Sequence, residues 1–300
     1  MPSTASRLVG TALRLTRRNR AYVSADEARR LVTQSALRPA AYGPPARLRR
    51  DVAIRAGRDE GWPVYTVTPR DRRPTGAVVY AHGGGWVGEI APQHWWLVAQ
   101  LAAEAGVAVT VPIYPLVPFG TAGEVVPWVA DLALRAAADH GRCVLAGDSA
   151  GGQIVLSAAL LLRDRDDVRP ARTILVSPAL DLTFRNPEIE DVQPSDPWLG
   201  VPGARVLAEH WRGDRSLEDP MVSPLFGDLR GLGPISVHSG TRDVTNPDGR
   251  LLVSRALAAG VDVTLHERHG LLHVFPLLPT PEGRTGRALI VDEVRAALAG

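Results

Sequence analysis

From residue 51 onward the chain alternates two hydrophobic rhythms. Short β-branched runs at 51–55, 63–68, 76–81, 106–111, 142–146, 172–176, 234–239 and 261–266 read as strands. Between the later runs, Gln93 to Ala105, Glu124 to His140, Ala150 to Arg163, Asp248 to Ala259 and Gly283 to Ala299 carry apolar residues three and four apart. That is the spacing of a helix with one buried face. The first two strands read as an antiparallel pair. The later ones are apolar throughout and separated by helices, which predicts a mostly parallel sheet covered on both faces. The expected architecture is therefore α/β: an eight-stranded, mostly parallel sheet flanked by helices, in a single domain over residues 1–300.

Two stretches break the rhythm. Residues 183–224, between the sixth and seventh strands, are long, rich in proline and acid, and hold a helical piece from Ala204 to Trp211. A structured insertion of that length is expected to be a lid. Residues 1–20 hold five arginines and no acid, with Leu8, Ala12 and Leu15 at helical spacing. This segment would lie on a membrane surface or dock over the protein's own cleft, and docking is preferred. No apolar stretch there reaches the length of a secretory core or a membrane span, so a cytoplasmic protein without stable membrane insertion is expected.

Composition changes this picture little. The 34 basic residues, all arginine, are nearly balanced by 32 acids, leaving a formal charge of +2. Such a balance offers no stripe for nucleic acid. The single cysteine, Cys143, heads an apolar run and reads as a small core residue, so no disulfide shapes the fold.

The chemistry is concentrated in three places. In "VLAGDSAGGQIV" (144–155), Ser149 stands in G-x-S-x-G between a strand and a helix. There a strained turn presents a serine at the helix N-terminus as a nucleophile. In "YAHGGGWVG" (80–88), glycines follow the third strand. N–H groups unshielded by a Cβ suit the oxyanion of a tetrahedral acyl intermediate, and Gly83, Gly84 and Ala150 are the expected donors. His82 is read as orienting this loop. No lysine and no G-x-G-x-x-G spacing support a nucleotide site instead.

A base is then needed after the last strand and an acid after the seventh, if the chain order is Ser, Asp, His. "HSGTRDVTNPDG" (238–249) offers Asp243 and Asp248; Asp243 comes sooner after the strand, while Asp248 falls where a helix N-cap belongs. "ERHGLLHVFP" (267–276) offers His269 and His273; His269 reads as a turn residue, and His273 has room to reach Ser149. His94, His140, His210, His238 and His266 are given no role. Trp86, Trp95, Trp96, Trp198 and Trp211, with Phe119 and Phe184, are expected to wall an apolar acyl pocket of limited depth.

These motifs resemble the hormone-sensitive-lipase-like carboxylesterases of the α/β-hydrolase superfamily. The likeness runs from about Gly76 to Leu278 through "HGGGW", "GDSAGG", "SPALDL" (177–182), "DPWL" (196–199), "SPLFGDLRGL" (223–232) and "GLLHVF" (270–275). It implies Ser149 as nucleophile, Asp243 as acid and His273 as base. It also implies a cap built from about 1–50 and 183–217 over a core of 51–182 and 218–300, and a reaction without metal or cofactor. One departure stands out: "IYPLVPF" (113–119) replaces the family's D-Y-R-L-A-P-E, with neither its acids nor its arginine, in a loop that braces the active site. The expected activity is hydrolysis of short- to medium-chain acyl esters through an acyl-enzyme, the partner being a small-molecule ester; a homodimer is compatible with this reading. The rivals are an amide or acetyl hydrolase using the same triad and a catalytically silent receptor, whose mark would be a missing triad residue.

Overall fold

The computed structural model describes residues 2–16, 19–37 and 40–299. Three helices come first: α1 (Thr4–Thr16), α2 (Arg20–Val23) and α3 (Ala25–Leu37). The sheet then begins with β1 (Val52–Asp59), β2 (Trp62–Pro69) and β3 (Ala77–Ala81), followed by α4 (Pro92–Gln100), which runs on through a π-helical turn, Leu101–Ala105. Next come β4 (Ala108–Pro112), α5 (Ala122–His140), β5 (Cys143–Asp148), α6 (Ala150–Asp166) and β6 (Arg172–Val176). The insertion holds α7 (Glu188–Val192) and α8 (Val201–Trp211); the chain closes with β7 (Ile235–Arg242), α9 (Asn246–Ala258), β8 (Val263–Leu272) and α10 (Pro281–Ala299).

The eight strands form one sheet in the order β1-β2-β4-β3-β5-β6-β7-β8. β1 and β2 pair antiparallel, β2 meets β4 antiparallel, and every pair from β4 to β8 is parallel. Alternate strand residues feed two apolar layers. Val79 and Leu145 join the layer under α5, α6 and α9, whereas Val78, Val144 and Ala146 join the layer under α4 and α10. This period-2 partition is what a sheet buried on both faces requires.

Two expectations about the chain's edges need correction. β8 runs to Leu272, past the expected end at 266, because Arg242 still pairs with Leu272 across a register shift. His269 is thus an exposed strand residue, not a turn. At the N-terminus, α1 docks by the opposite face from the one expected. Gly10 packs on Leu272 and Pro197, and Ser3 and Ser6 bond the Glu282 carboxylate, while Leu8 and Leu15 point outward. Small residues allow the closer backbone approach, which is why that face won. α2 and α3 pack on α8, joining the N-terminal segment to the insertion.

Candidate active site

β5 delivers Ser149 at its C-terminal end, where the backbone turns sharply into α6 with φ 52° and ψ −117°. A non-glycine residue at positive φ is uncommon and costs of order 1–3 kcal/mol unless its surroundings fix it. Here they do: Ser149 N–H donates to Val176 O (2.8 Å), and Ser149 O accepts from Ala179 N–H (3.1 Å). Gly151 lies so close to the Ala81 carbonyl that any Cβ would overlap it.

β7 and β8 bring the other two groups from neighbouring strand ends. His273 Nε2 lies 3.0 Å from Ser149 Oγ, and its Nδ1 lies 3.0 Å from both oxygens of Asp243. Thr245 holds the carboxylate through N–H and Oγ1, each 2.9 Å from Asp243 Oδ1. Asp243 and His273 are both buried. Burial works against charge on both, yet their mutual attraction and hydrogen bonds prevail: Asp243 is held below the usual carboxylate range and His273 above its ordinary value. The rejected alternatives lie elsewhere. Asp248 sits inside the first turn of α9 and accepts from Asn186 Nδ2 (2.8 Å). It is not the N-cap expected from its position, because α9 starts two residues earlier, at Asn246.

The glycine loop requires a correction. Gly83 N–H donates to Asp148 Oδ1 (3.0 Å), so it is committed to that carboxylate and leaves the expected donor set. Gly84, Gly85 and Ala150 line the cavity beside Ser149. Gly84 holds φ 119°, with its carbonyl accepting from Gly88 N–H (2.8 Å); a Cβ there would come within 2.6 Å of Gly88 O. Tyr114 braces the loop by stacking on His82 (4.5 Å) and donating to His82 O (2.7 Å), and Val117 N–H donates to Trp86 O (2.9 Å). The loop "IYPLVPF" thus holds the glycine loop through a tyrosine that the family motif shares and a backbone bond, without the motif's acids and arginine.

Sequence reasoning missed a buried polar layer under this loop. Asp148 accepts from Tyr80 OH (2.6 Å) and from His94 Nε2–H (3.2 Å) as well as from Gly83. His94, given no role from the sequence, takes the Ala91 N–H on its Nδ1 (2.9 Å), which fixes the tautomer. Gln153 is the second omission. Its Oε1 accepts from both Trp211 Nε1 (2.8 Å) and Trp86 Nε1 (3.2 Å), holding the stacked indoles in place. Asp196 is the third. It accepts from Trp198 N–H (2.7 Å), Leu199 N–H (3.1 Å) and Val244 N–H (3.0 Å), tying the insertion to the residue after Asp243. The legible cues were the acid inside "GDSAGG" and the acid of "DPWL"; neither reveals what it faces.

Above Ser149 lies an apolar cavity of about 290 Å³. Of the seven aromatics expected to wall it, Trp86, Trp198 and Phe184 do so, joined by Tyr22 from α2. Trp211 is buried behind Trp86, and Trp95 packs against Tyr65 beneath the other face of the sheet. Phe119 and Trp96 are exposed. Adjacent helix residues point to different sides, so proximity in sequence to the glycine loop was a poor guide. Trp198 meets the His273 ring edge-on, centroids 5.9 Å apart.

A serine on a strand-to-helix elbow, hydrogen-bonded to an imidazole that is in turn bonded to a carboxylate, the two following the last two strands of this sheet, is the arrangement of serine hydrolases of the α/β fold. The family model described as alpha/beta hydrolase fold matches residues 78–277. The chain is 35% identical over 228 residues to a triacylglycerol lipase of Mycobacterium tuberculosis, covering 75% of this chain and 47% of that one, so it spans about half that relative's length. It is 33% identical to an acetyl-hydrolase of Streptomyces hygroscopicus, over 69% of this chain and 71% of that one. Among solved structures, an esterase from the bacterial hormone-sensitive lipase family superposes with a TM-score of 0.82 at 28% identity, covering 99% of both chains. The chain belongs to the alpha/beta hydrolase fold family, among its hormone-sensitive-lipase-like esterases, and is a hydrolase of the carboxylesterase class.

Proposed function

We propose that Ser149, His273 and Asp243 carry out ester hydrolysis through an acyl-enzyme, on esters of short to medium acyl chain. His273 Nε2 takes the Oγ proton as Oγ attacks the ester carbonyl, and Asp243 stabilises the imidazolium. The N–H groups of Gly84, Gly85 and Ala150 receive the oxyanion. His273 then hands the proton to the leaving alcohol, and water repeats the sequence to release the acid. The observation that carries this reading is the unbroken hydrogen-bonded chain from Ser149 Oγ to Asp243 at the floor of an apolar cavity.

Residues 1–50 and 183–217 act as the cap; Tyr22, Trp198 and Leu207 supply cavity walls from those segments. Each buried methylene of an acyl chain contributes about 0.8 kcal/mol until the wall is reached. With p-nitrophenyl esters, kcat/KM is expected to rise from acetyl to about butyryl or hexanoyl and then fall. A steady climb to long chains, or activity only at a lipid interface, would overturn the size limit. A fluorophosphonate is expected to label Ser149 alone, and Ser149→Ala to lose roughly a million-fold in turnover with folding intact. An adduct on another residue would overturn the assignment. The acetyl-hydrolase relative favours a second reading, removal of acetyl groups from larger molecules, for which acetylated sugars and amides belong in the same panel.

A further inference from the structure

A second constellation of reactive side chains lies apart from the catalytic cavity. His238 on β7 and His266 on β8 are direct partners in the parallel register, so their rings stand side by side with centroids 4.6 Å apart. Both project to the face covered by α10, which sets Glu293 against them. His238 Nε2 meets Glu293 Oε2 at 2.9 Å, and His266 Nε2 meets Oε1 at 2.7 Å. One potential ligand atom from each of the three residues falls within 4.8 Å of the other two. His238 is fully buried, Glu293 is largely so, and His266 keeps its side chain 22% exposed, which leaves an entry path from solvent.

Glu293 pairs with both Nε2 atoms, but His238 Nδ1, buried where α10 packs Ile290, Val291 and Val294 on the sheet, has no hydrogen-bond partner among the described residues. The donor set identifies the partner that fits. Two imidazoles and one carboxylate, from three different elements, are the ligands of a borderline divalent ion that tolerates four-coordination. Tetrahedral ligands about 2.0–2.1 Å from such an ion stand about 3.3 Å apart. The existing N···O separations, 2.9 and 2.7 Å to the two carboxylate oxygens, are about half an ångström shorter, so the ion requires an outward movement of that order. We propose that His238, His266 and Glu293 form a structural site for a zinc-class divalent ion that pins α10 to the β7–β8 edge, with water completing the shell.

On binding, each neutral imidazole retains one proton, moved from Nε2 to Nδ1, and the Nε2 lone pair goes to the metal. The ion takes no part in acyl transfer. Its effect reaches the active site through the strands, because Asp243 follows β7 and His273 follows β8 directly.

The test uses untagged, chelator-treated full-length protein. One equivalent of Co²⁺ is expected to give the visible absorption of a four-coordinate site, and Zn²⁺ to displace it and raise the melting temperature. Mg²⁺, which prefers oxygen ligands in an octahedron, is expected to do neither. Outer-shell substitutions alone cost about 10–100-fold in metal affinity, so His266→Gln, which removes a donor, is expected to weaken binding at least a hundred-fold. Its fold is checked by circular dichroism. Imidazole ¹⁵N shifts of the wild type on Zn²⁺ addition give a readout that needs no variant: His238 and His266 are expected to move together. Absence of the cobalt spectrum, equal binding by His266→Gln, or shifts confined to other histidines would overturn the proposal.

Discussion

Asp148 stands one residue before the candidate nucleophile, yet its carboxylate serves the glycine loop. It accepts from Gly83 N–H, Tyr80 OH and His94 Nε2–H, and it is buried. Asp148→Asn would turn an amide donor toward one of three donors, leaving an unmatched buried pair. Because the loop carries the proposed oxyanion donors, kcat is expected to fall about 10- to 100-fold with little change in KM. Steady-state kinetics on one soluble ester checks this; a rise in KM alone would assign the layer to substrate binding instead. Asp196 gives a second prediction at this scale. Burial, then the nearby Asp243, push its carboxyl up to about 6. Its negative charge in turn helps hold His273 above the ordinary 6.5. A base must be neutral, so kcat/KM is expected to fall as pH drops through the His273 pKa, with an inflection above 6.5. Asp196→Asn removes a stabilising charge and is expected to move that inflection to lower pH. At this scale the sequence was informative where a residue's neighbours follow from its place on the chain, as for Ser149, Asp243 and His273, which meet in one hydrogen-bonded chain. It was silent where the role depends on a distant partner. His94 meets Asp148 across 54 positions and Gln153 meets Trp211 across 58, and no local pattern encodes either contact.

Strands and helices were largely legible because their periodicity is set locally: apart from the far end of β8, the eight strands and the five core helices lie where the hydrophobic rhythm put them, within a few residues. What the rhythm could not show is which face of a helix wins its neighbour. α1 turned Ser6 and Gly10 inward and Leu8 and Leu15 outward. α2 and α8 meet through another close approach, at Gly203, where a Cβ would come within 2.5 Å of the Tyr22 carbonyl carbon. Gly203→Val is therefore expected to push α8 from α2 and loosen the Tyr22 wall. The acyl-length optimum should shift to longer chains, with about 1–3 kcal/mol lost in stability. An unchanged chain-length profile would show that these helices do not shape the cavity. The start of α9 carries a different tension. Burial raises Asp248 from 3.8 to about 7. Between those values the folded state binds more protons than the unfolded one, so this group lowers stability as pH rises across the window. Asp248→Asn removes the effect: melting curves should show little difference near pH 4, and above pH 7 a gain of at most about 4 kcal/mol. Ester turnover at neutral pH should be largely retained.

For the molecule as a whole, no described helix is long and apolar enough to cross a membrane. The sheet order places β5, which ends at Ser149, near the centre and β7 and β8, which lead to Asp243 and His273, at one edge. A mostly parallel sheet was expected, since buried apolar runs between helices leave few alternatives; the strand order and the reach of β8 to Leu272 were not, because neither long-range pairing nor an irregular register leaves a mark in hydrophobicity. The Ser149–His273 hydrogen bond spans 124 residues. It also has a consequence in time. Contacts of such separation form only after a large loop-closure entropy has been met, and sheets dominated by them assemble slowly. β5 and α6 can pair early with their sequence neighbours, but the base cannot reach the serine until β6, β7 and β8 have each added to the growing edge. On dilution from denaturant, the indole emission of buried Trp86 and Trp211 should therefore recover before Ser149 regains reactivity toward a fluorophosphonate. A chain caught between those two moments would look folded by its spectrum and be inert as a catalyst.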